Sequence, residues 1–278
     1  MFIAILAVVL DCVIWYRVVS GGPVKSAEFH VLDVGQGDST LLIAPPGMTI
    51  LTDAGPDQKV LTSLSYAMPW RRSLDIAVIT HPQLDHFNGF YYILDHYRVG
   101  AIVINGRTEP GVPQWDALLK KVREKHIPLV TLAAGDRIRY GSTTIEILSP
   151  TSEWVQSGEL NDTGIVEYVR TPDFTALLAA DIGANVEGYL AKLYGLKADI
   201  LKVGHHGSKY SSSDAFVRAV DPKVAGIGVG ARNNYGHPSP EALARLASST
   251  SAKIFRTDKH GTISIIGASG TLRVFTER

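Results

Sequence analysis

The sequence predicts an α/β protein of four layers, αββα: two sheets packed face to face with helices on both outer faces, preceded by one N-terminal apolar helix. Three observations predict it. Short apolar runs bounded by turn residues alternate with stretches of helical periodicity. The chain states one plan twice: hairpin, Asp-x-Gly, helix, buried strand, histidines. Similar gaps separate Asp53 from His81 in the first statement and Asp181 from His205 in the second. Self-similarity on this scale points to a duplicated half-domain. Two strand-rich halves with interleaved helices bury their apolar faces best as two sheets against each other.

The elements follow in order. Residues 29–32 read as a strand, 33–38 as a loop, 39–44 as a strand, and Pro45-Pro46-Gly47 as a turn into a return strand at 48–52 that ends on Asp53-Ala54-Gly55. A helix is expected at 60–67, a buried strand at 74–80 ending on His81, a helix over 87–96 and a strand at 101–104. Trp115, Leu118, Leu119 and Val122 stand at helical spacing within 115–125. Strands are expected at 129–132 and 143–148. The second half repeats with strands at 165–170 and 174–180, Asp181-Ile182-Gly183, a helix over 186–193 and a buried strand at 198–203 that runs into Gly204-His205-His206-Gly207-Ser208.

Residues 1–19 are mostly apolar and read as a membrane anchor, against a cleaved signal or a buried helix; Asp11 is the costly residue for a bilayer, while Arg17 can snorkel. Residues 20–27 read as a linker, and 28–278 as one catalytic domain. Lys+Arg 27 balances Asp+Glu 27, so no broad basic field marks the chain for nucleic acid. The single cysteine, Cys12, excludes a disulfide within the chain, and any metal site must use His, Asp, Glu or amides.

His81, Asp85 and His86 follow directly on a buried strand, and Asp181 and His205 stand at the matching place in the other half. Neutral imidazole and carboxylate suit a hard or borderline divalent ion. Adjacent acceptors such as Asp85 and His86 cannot both face one core, but they can both wrap an ion from a loop. An ordinary polar residue on a surface loop is the plainer explanation of any one of them, though not of five at matched strand ends.

The segment from Ile79 to Gly89, Ile-Thr-His-Pro-Gln-Leu-Asp-His-Phe-Asn-Gly, resembles the metallo-β-lactamase signature His-x-His-x-Asp-His. Leu32–Ser39, Leu160–Thr163, Leu201–Ser208 and Asn234–Pro238 narrow the resemblance to the hydrolase domain of the competence protein ComEC, a DNA-uptake channel family. The motifs span residues 28–267, and the chain looks like a free-standing, singly anchored version of that domain. The resemblance implies that Asp85 and His86 bind one metal with His205 completing its shell, that Asp181 bridges two metals, that His81 serves the other, and that Asp53 supports the loop by hydrogen bonds. Gln83 stands where the superfamily has His or Asp, and Asn161 and Asp162 stand where it supplies a further His. The second site is therefore expected to hold a weakly bound ion, to favour manganese or magnesium over zinc, or to be empty.

The resemblance thus implies one or two divalent ions, zinc or manganese first, no other cofactor, and hydrolysis of phosphodiester bonds in DNA. It also implies a possible separate channel protein as partner and a domain on the outer side of the membrane. Two basic residues after the apolar run, Arg17 and Lys25, point instead to the inner side. Asp85 and His237 are the candidate catalytic residues, His237 as general acid or substrate ligand, against a loop-packing histidine. His206 is a ligand or a ligand's neighbour. Ser208 and the turn amides at Gly207 are candidates to hold a phosphate oxygen, and Lys202, Lys209, Arg232 and Asn234 to contact a phosphate backbone, against ordinary solvated surface charge. Gly35-Gln36-Gly37-Asp38 reads as a tight turn beside the site, with Asp38 structural. Hydrolysis of another ester, lactone or thioester, or a degenerate metal-binding module, are the competing readings.

Overall fold

The computed structural model describes residues 2–20, 24–109, 111–156, 158–268 and 270–278. The first sheet takes β1 (Glu28–Val31), β2 (Thr40–Ala44), β3 (Met48–Thr52), β4 (Ser73–Ile79), β5 (Arg98–Ile104) and β6 (Leu129–Thr131). The second takes β7 (Arg137–Tyr140), β8 (Thr143–Ser149), β9 (Val166–Arg170), β10 (Thr175–Leu178), β11 (Ile200–Lys202), β12 (Val224–Ile227) and β13 (Lys253–Arg256). β14 (Ile263–Ala268) and β15 (Thr271–Thr276) then return to the first sheet beside β1. The helices are α1 (Phe2–Ser20), α2 (Lys59–Ala67), α3 (Leu84–Phe87), α4 (Gly89–His96), α5 (Pro113–Glu124), α6 (Ser152–Val155), α7 (Ala184–Leu193), α8 (Asp214–Val220), α9 (Pro240–Ser249) and α10 (Thr257–His260).

The two sheets share one wiring. β1 to β3 form an antiparallel meander that turns parallel across β3, β4, β5 and β6. β8 to β10 do the same before β10, β11, β12 and β13 run parallel. Even a side-chain latch is repeated. Asp75 Oδ2 accepts from Thr49 N (2.8 Å) and Thr49 Oγ1 (2.9 Å), tying β4 to β3. Asp199 Oδ2 accepts from Thr175 N (2.9 Å) and Thr175 Oγ1 (2.9 Å), tying the start of β11 to β10. Parallel strands covered on both faces need apolar side chains on both sides, and the buried runs of β4 and β11 meet that need.

Phe29, Ile50 and Val78 of the first sheet meet Ile147, Val169 and Leu178 of the second in the central layer. Leu64, Phe90 and Trp115 pack α2, α4 and α5 on one outer face, and Val186, Phe216 and Leu246 pack α7, α8 and α9 on the other. The αββα expectation is met. The boundaries differ where the expected helix over 87–96 begins earlier, as α3 and α4, and the edge strand β7 was not expected. The elements beyond Ser208, α8 to α10 and β12 to β15, have no counterpart in the sequence reading.

The N-terminal expectation fares differently. α1 exists, and its described side chains Ile5, Leu6, Val8, Val9, Leu10, Ile14 and Trp15 are exposed. Yet no helix among the described residues is long and apolar enough to cross a membrane. The transmembrane reading thus gains no support from the structure. Residues 21–23 of the expected linker lie outside the described residues.

Glu167 is an acid sealed between the sheets, 1% exposed, and it accepts from Thr52 Oγ1 at 2.7 Å. Burial pushes its carboxyl from 4.5 up to about 7, against the Thr52 hydrogen bond. Between those two values the folded chain keeps a proton that the unfolded chain has lost, so stability falls as pH rises through that window. Glu167→Gln keeps the shape and an acceptor for Thr52. It should match the parent near pH 4.5 and exceed it above about pH 8 by on the order of 3 kcal/mol, as chemical denaturation at the two pH values would show.

Candidate metal centre

The ends of β3, β4, β10 and β11 converge at one edge of the sandwich, where the loops after them are tied into a frame. Asp38 N donates to Asp85 O (3.1 Å), Ala54 N to His86 O (2.7 Å), and Gly89 N to Gly55 O (2.8 Å). Gly89 opens α4 against the Ala54 carbonyl, and a Cβ there would run into that oxygen. Four non-glycine residues at these ends hold positive φ: Asp53 (58°), Ala180 (48°), His205 (50°) and His206 (53°). Such strain persists only where surrounding contacts over-determine it, and it gathers here at one site.

Within the frame, His86 and His206 point their Nε2 atoms at a common centre with Asp85 and Asp181. His86 Nε2 lies 3.3 Å from Asp181 Oδ2. His206 Nε2 lies 3.2 Å from Asp85 Oδ2 and 3.6 Å from Asp181 Oδ2. The sets His81–His86–Asp181, Asp85–His86–His206 and Asp38–Asp181–His206 each bring their donor atoms within 4.8 Å of one another. His86 Nε2, His206 Nε2 and Asp181 Oδ1 are buried without a hydrogen-bond partner. Buried polar atoms are almost always satisfied, so three orphans aimed at one point fit a divalent ion.

Carboxylates hold both rings from behind. His86 Nδ1 donates to Asp53 Oδ2 at 2.7 Å, while Thr80 N and Thr80 Oγ1 donate to the same carboxylate at 2.9 and 2.8 Å. His206 Nδ1 donates to Gly228 O at 2.9 Å and lies 3.2 Å from Asp38 Oδ1. Lys202 Nζ, itself buried, donates to Asp38 Oδ2 at 2.7 Å and to Val203 O at 3.0 Å. Each half therefore offers an imidazole oriented by an acid, an arrangement that fixes the ring for coordination through Nε2.

The structure separates the two neighbouring histidines. Two successive left-handed residues turn the His206 ring inward, 2% exposed, and leave the His205 side chain at the rim, 26% exposed and 3.9 Å from Asp181 Oδ2. His206, not His205, joins the clustered donors. The resemblance points to His205 and leaves His206 as a ligand or a ligand's neighbour; the backbone reversal that separates them has no signature in the sequence. Asp38 is part of the cluster and Lys202 is its buried partner rather than a surface contact for phosphate. The signal available was that a lysine in a fully apolar strand needs a buried acid.

The remaining residues lie around this centre. His237 Nδ1 is buried without a partner, and its ring lies 5.6 Å from that of His205. Gln83 Oε1 faces His81 Nε2 at 2.8 Å, and Asn161 Nδ2 lies 3.4 Å from His205 Nε2. Asp162 accepts from Gly183 N (3.0 Å) and Asn185 Nδ2 (2.6 Å), so it braces the loop after Asp181. Ser208 is buried, and its Oγ accepts from Tyr210 N at 3.3 Å. Asp85 opens onto a cleft of about 690 Å³ whose walls include Gln36, Gln83, Leu84, Arg232, Asn234 and Tyr235.

Residues 32–229 match the family described as the metallo-β-lactamase superfamily. The chain belongs to the metallo-β-lactamase superfamily. It is 30% identical over 264 residues to ComE operon protein 3 of Bacillus subtilis, covering 86% of this chain and 33% of that one. It is 29% identical over 262 residues to competence protein ComA of Neisseria gonorrhoeae, covering 91% and 35%. The chain thus spans about a third of the length of the curated relatives it matches. The metallo-β-lactamase fold protein YhfI of Bacillus subtilis shares the fold at a TM-score of 0.57, with 12% identity over 90% of this chain and all of its own.

Charge at the centre is finely opposed. Burial pulls the His206 imidazole down, but the Asp181 and Asp38 carboxylates outweigh it and raise it to about 10. His86 is likewise raised well above the ordinary histidine value, burial being overcome by Asp181 and Asp53. Burial raises the Asp181 carboxyl, yet His86 and His206 bring it well below the usual carboxylate range. His206 therefore carries its second ring proton at neutral pH until an ion displaces it, and His86 is biased the same way. Affinity for a divalent ion should rise with pH through the neutral range, with release of roughly one to two protons per ion. Calorimetry in buffers of different ionisation heat reads that count, and a count of zero would contradict the assignment.

Proposed function

We propose that the chain is a metal-dependent phosphodiesterase that cuts DNA, in the setting of competence-type DNA uptake. The observation that carries the proposal is the buried Asp85–His86–Asp181–His206 cluster opening, through Asp85, into a cleft lined by Arg232, Asn234 and Tyr235. The similarity to competence proteins supports the choice of DNA.

These four residues would hold a divalent ion, which would supply an activated water and offset charge on the bond under attack. The chain's own residues do the rest. Asp53 and Asp38 hold the two rings, and the loop frame keeps Asp85 beside His206. His237 is kept below the ordinary histidine value by burial and by His205 and His206, so it is neutral at pH 7 and can hydrogen-bond a phosphate oxygen through its one N–H rather than give up a proton. Its ring lies 5.6 Å from that of His205. Arg232 and Lys209 are exposed, so both can meet phosphates. Tyr235, 71% exposed and stacked on His237 (5.7 Å, 25°), offers a flat face to an unpaired base. Asn233 builds this loop by donating to Gly230 O and His237 O at 2.9 and 2.7 Å.

A second reading, hydrolysis of a lactone or thioester, draws on Val34, Leu84 and Val112, which give the cleft one apolar wall. End-labelled single- and double-stranded DNA, offered to metal-stripped protein with zinc, manganese or magnesium added back, separates the two. Metal-dependent cutting is expected, absent in Asp85→Ala. His237→Gln should retain the ion and lose roughly 10²-fold in rate. A folded, metal-loaded protein that cuts no DNA but opens a lactone or thioester would overturn the nuclease reading in favour of the second.

A further inference from the structure

The cluster is not symmetrical, and the asymmetry lies at His81. Both of its ring nitrogens are engaged: Nδ1 lies 2.9 Å from Thr80 Oγ1 and Nε2 lies 2.8 Å from Gln83 Oε1. The Nε2 atoms of His86 and His206 have no hydrogen-bond partner. Turning the Gln83 amide over changes only which atom donates; the His81 nitrogen stays occupied in either orientation.

The two sides also differ in what they offer a cation. Asp85, His86, His206 and Asp181 supply two carboxylates and two imidazoles around one point. A cation beside His81 would have to share His86 or Asp181 with that set. Beyond His81 itself it would find the neutral Gln83 amide. The neighbouring amide, Asn161, has its Nδ2 turned to His205 Nε2 at 3.4 Å. Amide oxygens are weak ligands for ions that prefer imidazole, and they bring no charge. Two divalent ions a few ångströms apart repel strongly, and only added anionic ligands offset that repulsion.

We propose that the centre holds a single ion, in the Asp85–His86–Asp181–His206 set, and that the Gln83 side chain closes the His81 side to a second. The inference rests on the metal centre of the proposed function but not on its substrate. Its consequence is that His81 and Gln83 act together as a neutral hydrogen-bonding wall. Charge on a phosphate is then met on that side by protein donors and not by another cation.

The test is a titration of the metal-stripped full chain with Co²⁺, followed by its visible absorption, together with elemental analysis of zinc- and manganese-loaded protein. The parent chain should saturate at one ion. Gln83→His, which exchanges the amide for an imidazole on a half-exposed loop position, should saturate at two. Gln83→Asp, which adds an anion, should do the same, and it keeps the test decisive if the histidine variant is misfolded. Two ions in the parent chain would overturn the proposal, as would one ion in both folded variants. No ion at all in folded parent protein would instead bring down the metal centre itself, and with it the proposed function.

Discussion

Everything at the working edge of this molecule turns on the carboxylate of Asp181. It is buried, it is met by His86 from the first half and His206 from its own, and one of its oxygens has no hydrogen-bond partner. A lone buried carboxylate is costly, and opposing charges offset the cost only when geometry is tightly held. The frame of loop hydrogen bonds and the four strained residues around it supply that hold. The sandwich is, in this sense, a device for bringing the ends of β3 and β4 against the ends of β10 and β11.

The duplication explains how the chain achieves this with ordinary elements. Each half runs a meander into parallel strands, and parallel strands deliver their C-terminal ends to one edge. The repeated threonine–aspartate latch fixes the register of the two strands that carry each acid and its histidines. The halves then diverge in chemistry. The first uses Asp53 to orient His86, whereas the second places its Asp181 in the centre and leaves the orienting role to Asp38, which Lys202 holds.

Much of this was legible in the sequence. Alternating apolar runs and the repeated Asp-x-Gly gave the layers and the matched halves, because burial on both faces of a parallel strand leaves a continuous apolar run. His81, Asp85, His86 and Asp181 could be placed at strand ends for the same reason. What could not be read was conformation inside the loops. The choice between His205 and His206 depends on two left-handed residues in succession, which no apolar periodicity encodes. The pairing of Asp38 with Lys202 spans 164 positions and is visible only once the sheets are stacked. Beyond Ser208 the patterns are shorter and have no repeat partner, so His237 and its neighbours are legible as a motif but their elements are not, nor is the exposed face of Tyr235.

The most direct test of the account is a crystal structure of the zinc- or manganese-loaded chain with anomalous scattering recorded at the metal edge. The account requires anomalous density bounded by His86 Nε2, His206 Nε2, Asp85 and Asp181, with the His205 ring outside the coordination sphere. Density on His205 with His206 uncoordinated, or density away from Asp181 altogether, would contradict it.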